Sequence, residues 1–184
     1  MFHKLKILFV GPCESGKTVL ANFLADATET ATGDYKPTQG ARILEFEIEG
    51  NGKSSPAEVE LWDCSGNHSF EMCWPAVQKN TNGVVFVFNP SKSNHERELE
   101  NWYLHFAKEL GIKDKQCVVF AHRRPGFAEA SKKKLGGTLS RLKVVHTNLD
   151  DDPDAIRDEF QAFIGDVSST MSDRREQEEL SIIE

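Results

Sequence analysis

The sequence predicts an α/β fold, a three-layer sandwich on a mainly parallel six-stranded sheet with one antiparallel hairpin strand. Three observations predict it. The runs at 84–88 and 117–121 are continuously apolar, as strands covered on both faces are. Amphipathic stretches with helical spacing separate the strand runs, and such alternation calls for crossover connections and parallel pairing. One pair of runs is joined instead across a polar turn at 51–56, which marks a hairpin.

In order, the first strand is the apolar run 5–10, followed by a glycine-bearing loop at 11–18. Val19, Leu20, Phe23 and Leu24 then recur at the spacing of one helical face. Residues 28–35 are polar and turn-prone. At 43–48, Leu44, Phe46 and Ile48 alternate with Glu45 and Glu47, the period of a half-buried strand, and 59–62 is its return partner. Leu99, Trp102, Tyr103, Phe106 and Leu110 share one face of a helix expected over 94–110. The pattern loosens over 124–138, with a short helix expected around 127–135, and 143–146 is a last short strand. Asp152 as N-cap and Pro153 at the first helical position start a final helix carrying Ile156, Phe160, Phe163 and Ile164 on one face. The expected organisation is one nucleotide-binding domain at 1–165 and a charged tail at 166–184, mobile or held by a partner.

The chemistry concentrates in the loop Gly11, Pro12, Cys13, Glu14, Ser15, Gly16, Lys17, Thr18, which fits G-x-x-x-x-G-K-[ST] between a strand and a helix. There, successive backbone N–H groups converge on phosphate, with Val19 continuing the series into the helix. Lys17 supplies positive charge to the outer phosphates, and the Thr18 hydroxyl can ligate Mg²⁺. Asp63, at a strand end, is placed to hold the same metal directly or through a water. Gly66 can bring a bare backbone N–H to a terminal phosphate, and Thr38 lies in a loop able to fold over the nucleotide with its hydroxyl toward the metal. Two segments that sense the last phosphate make a switch.

A chain of 184 residues accommodates one substantial core. Its net charge of −7 disfavours nucleic acid or an anionic membrane as the main partner. The four cysteines lack C-x-x-C spacing, and no apolar stretch is long enough to span a bilayer. Phe2 stands where N-myristoylation needs glycine, and no cysteine follows Cys117, so no lipid anchor is expected.

In this order, the loop 11–18, Pro37-Thr38-x-Gly40 and Trp62-Asp63-x-x-Gly66 resemble the nucleotide motifs of Ras-like small GTPases. With Tyr35 to Gly40, Leu61 to Gly66 and Asn148 to Pro153 added, the chain resembles more narrowly the Rab-like protein 5 family, also called intraflagellar transport protein 22. The resemblance implies a P-loop small-GTPase-like fold, GTP or GDP with Mg²⁺ as ligands, and Thr18, Thr38 and Asp63 at the metal. It also implies docking on the paired coiled-coil core subunits of the intraflagellar transport B complex. The implied location is the cilium or flagellum and the cytoplasm of the basal body region.

The chain departs from that pattern in two places. Where small GTPases read guanine through N-K-x-D, it has Ala121-His122-Arg123-Arg124-Pro125, with no aspartate. His122 or Arg123 would stack on the base or serve structure alone, and Asn148 would supply a donor to the base. Asn67 stands in place of the water-orienting glutamine, one methylene shorter, and Cys13 crowds an incoming arginine finger, so turnover is expected to be slow. Two alternatives stay open: a nucleotide-independent interaction module on a degenerate GTPase fold, and a P-loop kinase acting on a small molecule.

Overall fold

The computed structural model describes residues 3–27, 36–50, 56–123 and 134–183. Side chains of β1 (His3–Val10) alternate between two cores: Leu5, Ile7 and Phe9 enter one, Leu8 and Val10 the other. A strand so covered sits inside a sheet. The order is β2 (Ala41–Ile48), β3 (Ala57–Cys64), β1, β4 (Gly83–Phe88), β5 (Cys117–His122), β6 (Lys143–Thr147). β2 pairs antiparallel with β3, setting Leu44 opposite Leu61, and every other pairing is parallel, as the sequence predicts.

Helices α1 (Lys17–Leu24) and α4 (Pro153–Ile183) cover the first core with Leu20, Leu24, Ile156, Phe160 and Phe163. Phe9 meets Phe120 and Phe160 edge-on there, with ring centroids 6.4 and 6.0 Å apart. On the other face, α2 (Trp74–Gln78) and α3 (His95–Tyr103) bring Val77, Leu99, Trp102 and Tyr103 onto Leu8, Val10 and Phe86.

Two elements differ from expectation, and a third carries no apolar signal in the sequence. The helix of α3 passes into a wider turn at Leu104–Lys108, where the Glu109 and Ile112 N–H groups reach back five residues to the Leu104 and Ala107 carbonyls. The extra residue rotates the face, so Phe106 and Ala107 are buried while Leu110 is only half-buried. Between β3 and β4 lies a 3-10 turn, His68–Cys73, with no buried residue, which explains its lack of apolar periodicity. The domain boundary expected at 165 falls inside α4, which runs unbroken to Ile183. Val167 is 0 % exposed and Met171 packs beside it, because Gly83 lets the helix approach: a Cβ there would lie 2.9 Å from Val167 and 3.0 Å from Phe163. Only 173–181 stand out as a fully exposed, charged extension. The turns expected at 28–35 and 51–55, and most of the helix expected at 127–135, lie outside the described residues.

Cutting the chain after Gly165 strips Val167 and Met171 from the first core. In urea titration it will lower the unfolding free energy by about 2–4 kcal/mol. Cutting after Asp173 will change it by less than about 0.5 kcal/mol.

Candidate functional site

At the end of β1 the chain turns on Gly11, whose φ of 143° and position under the Val87 carbonyl, 2.1 Å from where a Cβ would stand, exclude any other residue. Pro12 and Ser15 are buried, and Cys13 is exposed. Glu14 adopts a left-handed backbone, and its carboxylate is ion-paired with Lys92 from the turn after β4. Gly16, also left-handed, starts α1 with no side chain capping the first turn, and Val19 in that turn is exposed. An uncapped helix start beside a glycine loop suits an anion.

Lys17 is 6 % exposed, and its Nζ donates to the Gly11 and Pro12 carbonyls at 2.8 and 2.7 Å. Burial lowers its pKa to about 8, with the nearby Asp63 carboxylate pulling the other way.

The β1–β3 register sets Asp63 beside Phe9, next to the loop. The Thr18 hydroxyl donates to Asp63 Oδ2 at 2.7 Å and lies 2.9 Å from the Thr38 hydroxyl. With its proton on Asp63, Thr18 is the acceptor toward Thr38, which also lies 3.5 Å from Asp63 Oδ2. Arg42 sits 3.8 Å from the same oxygen. Asp63 is 0 % exposed; burial raises its pKa, while the Thr18 bond, Lys17 and Arg42 act in the opposite sense. Its other oxygen, Oδ1, is buried with no hydrogen-bond partner.

An orphaned carboxylate oxygen beside two hydroxyls suits a hard cation that takes one or two protein oxygens and fills its shell from phosphate and water. The residues present therefore fit Mg²⁺. Among the described residues no cluster of three or more His, Cys, Asp or Glu offers a protein-only metal site. The three oxygen donors expected at the metal are thus brought together.

Gly66 packs flush on the loop: a Cβ would fall 2.4 Å from the Cys13 nitrogen and 2.6 Å from the Pro12 carbonyl carbon. Asn67 is exposed and committed locally, its side-chain oxygen accepting from the Ser69 N–H at 2.9 Å as cap of the 3-10 turn.

The base-side residues sort themselves. His122 is 2 % exposed, its Nδ1 lies 3.0 Å from the Thr147 hydroxyl, and its ring sits under Gly16, 2.4 Å from where a Cβ would be. Of the two readings of His122, the structure supports the structural one: its ring props the phosphate loop and is not open to stack on a base. Arg123 reaches outward to Asp151 at 3.7 Å. Asn148 donates to Asp151 Oδ2 at 2.7 Å, and its own oxygen accepts from the Asp150 N–H. The contacts of Lys92, Thr147 and Asp151 are not legible in the sequence because each is made to a partner distant in the chain or within a turn with no apolar period.

Gly66→Ala will push its segment off the loop. Amide exchange at 64–67 and at Cys13 will rise by about tenfold or more, the scale of a lost local contact of roughly 1.4 kcal/mol. Lys17 gives a pH signature. Between pH 8 and 10.5 the unfolded chain keeps a proton that the folded chain has released, so this group adds stability as pH rises through that window. Urea unfolding at pH 8 and pH 10 will show wild type gaining relative to Lys17→Met.

Residues 6–124 match the family model described as Ras of Complex, Roc, domain of DAPkinase. The chain is 48 % identical to the intraflagellar transport protein 22 homolog of Homo sapiens and 47 % identical to that of Danio rerio, each match covering 98 % of both chains. It is 30 % identical to intraflagellar transport protein 22 of Trypanosoma brucei, over 89 % of this chain and 85 % of that one. Among solved structures it superposes on the GTP-bound T. brucei IFT22/74/81 crystal structure with a TM-score of 0.78, at 32 % identity over 93 % of this chain and 98 % of that one. For the GDP-bound T. brucei IFT22 structure the TM-score is 0.71, at 29 % identity over 91 % and 98 %. The chain belongs to the intraflagellar transport protein 22 family, built on the small-GTPase fold.

Proposed function

We propose that this chain is a guanine-nucleotide-binding subunit of intraflagellar transport whose nucleotide state governs docking to the transport machinery. The observation that carries the reading is the meeting of Thr18, Thr38 and Asp63 beside Lys17, with one Asp63 oxygen unpartnered. GTP- and GDP-bound crystal structures of the T. brucei relative support guanine nucleotide as the ligand class.

Thr18, Thr38 and Asp63 would hold Mg²⁺, which would supply charge neutralisation at the outer phosphates. The chain's own residues do the rest. Loop amides and Lys17 bind the phosphates, Thr38 links the segment at 36–40 to the metal, and Gly66 brings a second segment against the loop. Asn67 positions attacking water poorly, being short and already spent as a cap, so hydrolysis is slow, on the order of 10⁻⁴ s⁻¹ or below. The IFT22/74/81 structure of the relative supports docking on the paired coiled-coil core subunits of the intraflagellar transport B complex. The corresponding location is the cilium or flagellum and the cytoplasm near the basal body. The exposed, charged end of α4 is a free surface available to such a partner.

One observation favours a second reading: 121–125 lacks a base-reading acid, as in an interaction module that no longer uses nucleotide. Calorimetry separates the two. Wild type will bind Mg²⁺-GTP, Lys17→Ala will lose at least about 100-fold, the scale of a buried charged contact, and the same variant will bind the coiled-coil pair more weakly. Wild type silent toward GTP and GDP, with Lys17→Ala docking normally, overturns the switch in favour of the module.

A further inference from the structure

Resting on the nucleotide reading above, we propose that Lys92 is a positioning residue for the phosphate loop. Its ammonium holds the Glu14 carboxylate to the side of the anion cradle and offsets its charge, and so sets nucleotide affinity and release without touching the nucleotide. Glu14 stands fourth in the eight-residue loop whose backbone N–H groups converge on an anion, where a carboxylate works against binding. Its φ of 57° is a left-handed backbone that a residue with a Cβ adopts only under constraint. The constraint is visible in the ion pair with Lys92, 78 residues further along the chain.

The backbone of Lys92 is fixed from within the protein. β1 and β4 are neighbours in the sheet, so the phosphate loop and the turn after β4 leave adjacent strand ends. In that turn the Ser91 N–H donates to Asn89 Oδ1 at 2.9 Å, and the Lys92 N–H donates to the Asn89 carbonyl at 3.1 Å. The His95 N–H in turn donates to the Lys92 carbonyl at 3.2 Å. The Asn89 N–H donates to His95 Nδ1 at 3.1 Å, and both of these residues are buried, which locks the turn to the first residue of α3. A lysine fixed at its base loses less freedom on pairing than one on an open loop. His95 is held below the usual imidazole range first by burial and then by Lys92, and it also feels Lys17 and Glu14. The Glu14–Lys92 pair and the Lys17 floor therefore share one electrostatic field.

Both partners are part exposed, 44 % for Glu14 and 38 % for Lys92, so replacing either empties no core. Lys92→Met lowers the charge of the pair by one, Glu14→Gln raises it by one, and the double variant stays neutral like wild type. Mg²⁺-GDP affinity is measured by calorimetry on all four proteins, and release of prebound GDP by chase with excess unlabelled GDP. Lys92→Met is expected to lose about tenfold in affinity and to release GDP faster in proportion, while Glu14→Gln binds about two- to threefold tighter. The double variant is expected to return to within about threefold of wild type, a rescue that lost packing would not give. A double variant as weak as Lys92→Met means that Lys92 meets the phosphates itself, and overturns the positioning role. Lys92→Met equal to wild type overturns it as well, and both results leave the nucleotide reading standing. Wild type silent toward GDP overturns that reading along with the proposal.

Discussion

The structure depends on two opposite charges sealed into the floor of one site. Lys17 and Asp63 are both withdrawn from water, and each is perturbed in the direction burial dictates, toward its neutral form. Asp63 is the chief carboxylate favouring the charged form of Lys17, and the Thr18 bond, Lys17 and Arg42 together favour the charged form of Asp63. A buried charge is tolerated only with satisfied partners, which is why the loop carbonyls of Gly11 and Pro12 fold around the ammonium and the Thr18 hydroxyl closes on the carboxylate. The incomplete satisfaction of Asp63 is the functional remainder: one oxygen is left for a ligand that brings positive charge.

Every larger feature serves that floor. Parallel pairing of β1 with β3 sets Asp63 beside the strand end from which the loop leads to Lys17, and pairing of β1 with β4 delivers the Val87 carbonyl that forces Gly11. β5 adds the His122 prop beneath Gly16. Two segments then lean on the loop from different sides, one through the Thr38 hydroxyl and one through the bare Cα of Gly66. Neither carries an apolar anchor at the point of contact, so both hold by polar and steric fit, and such contacts are sensitive to what occupies the loop.

Much of this was legible in the sequence. The loop 11–18 is a contiguous motif, the strands at 84–88 and 117–121 are uninterrupted apolar runs, and Asp63 closes a strand of clear period. Those signals are local. What escaped was decided by contacts distant in the chain. His122 reads as a polar residue at a strand end and acquires its role only from the missing Cβ of Gly16. The length of α4 was underestimated because Gly165 and the following charges suggested an end, while Val167 and Met171 continued the apolar stripe and Gly83 made room for them. The wide turn at 104–108 leaves no mark in composition, since it changes the phase of the face and not its residues.

The departures from the small-GTPase pattern bear unequally on function. Loss of the base-reading aspartate bears on selectivity among nucleotides, while the groups proposed to meet phosphate and metal, Lys17, Thr18, Thr38 and Asp63, stand together. Asn67 bears on rate: an amide held by the Ser69 N–H must give up its cap before it can turn to a water, and that cost adds to a side chain already a methylene short. On the proposed reading, slow hydrolysis leaves the loaded state to be changed by nucleotide exchange and partner binding more than by catalysis at this site.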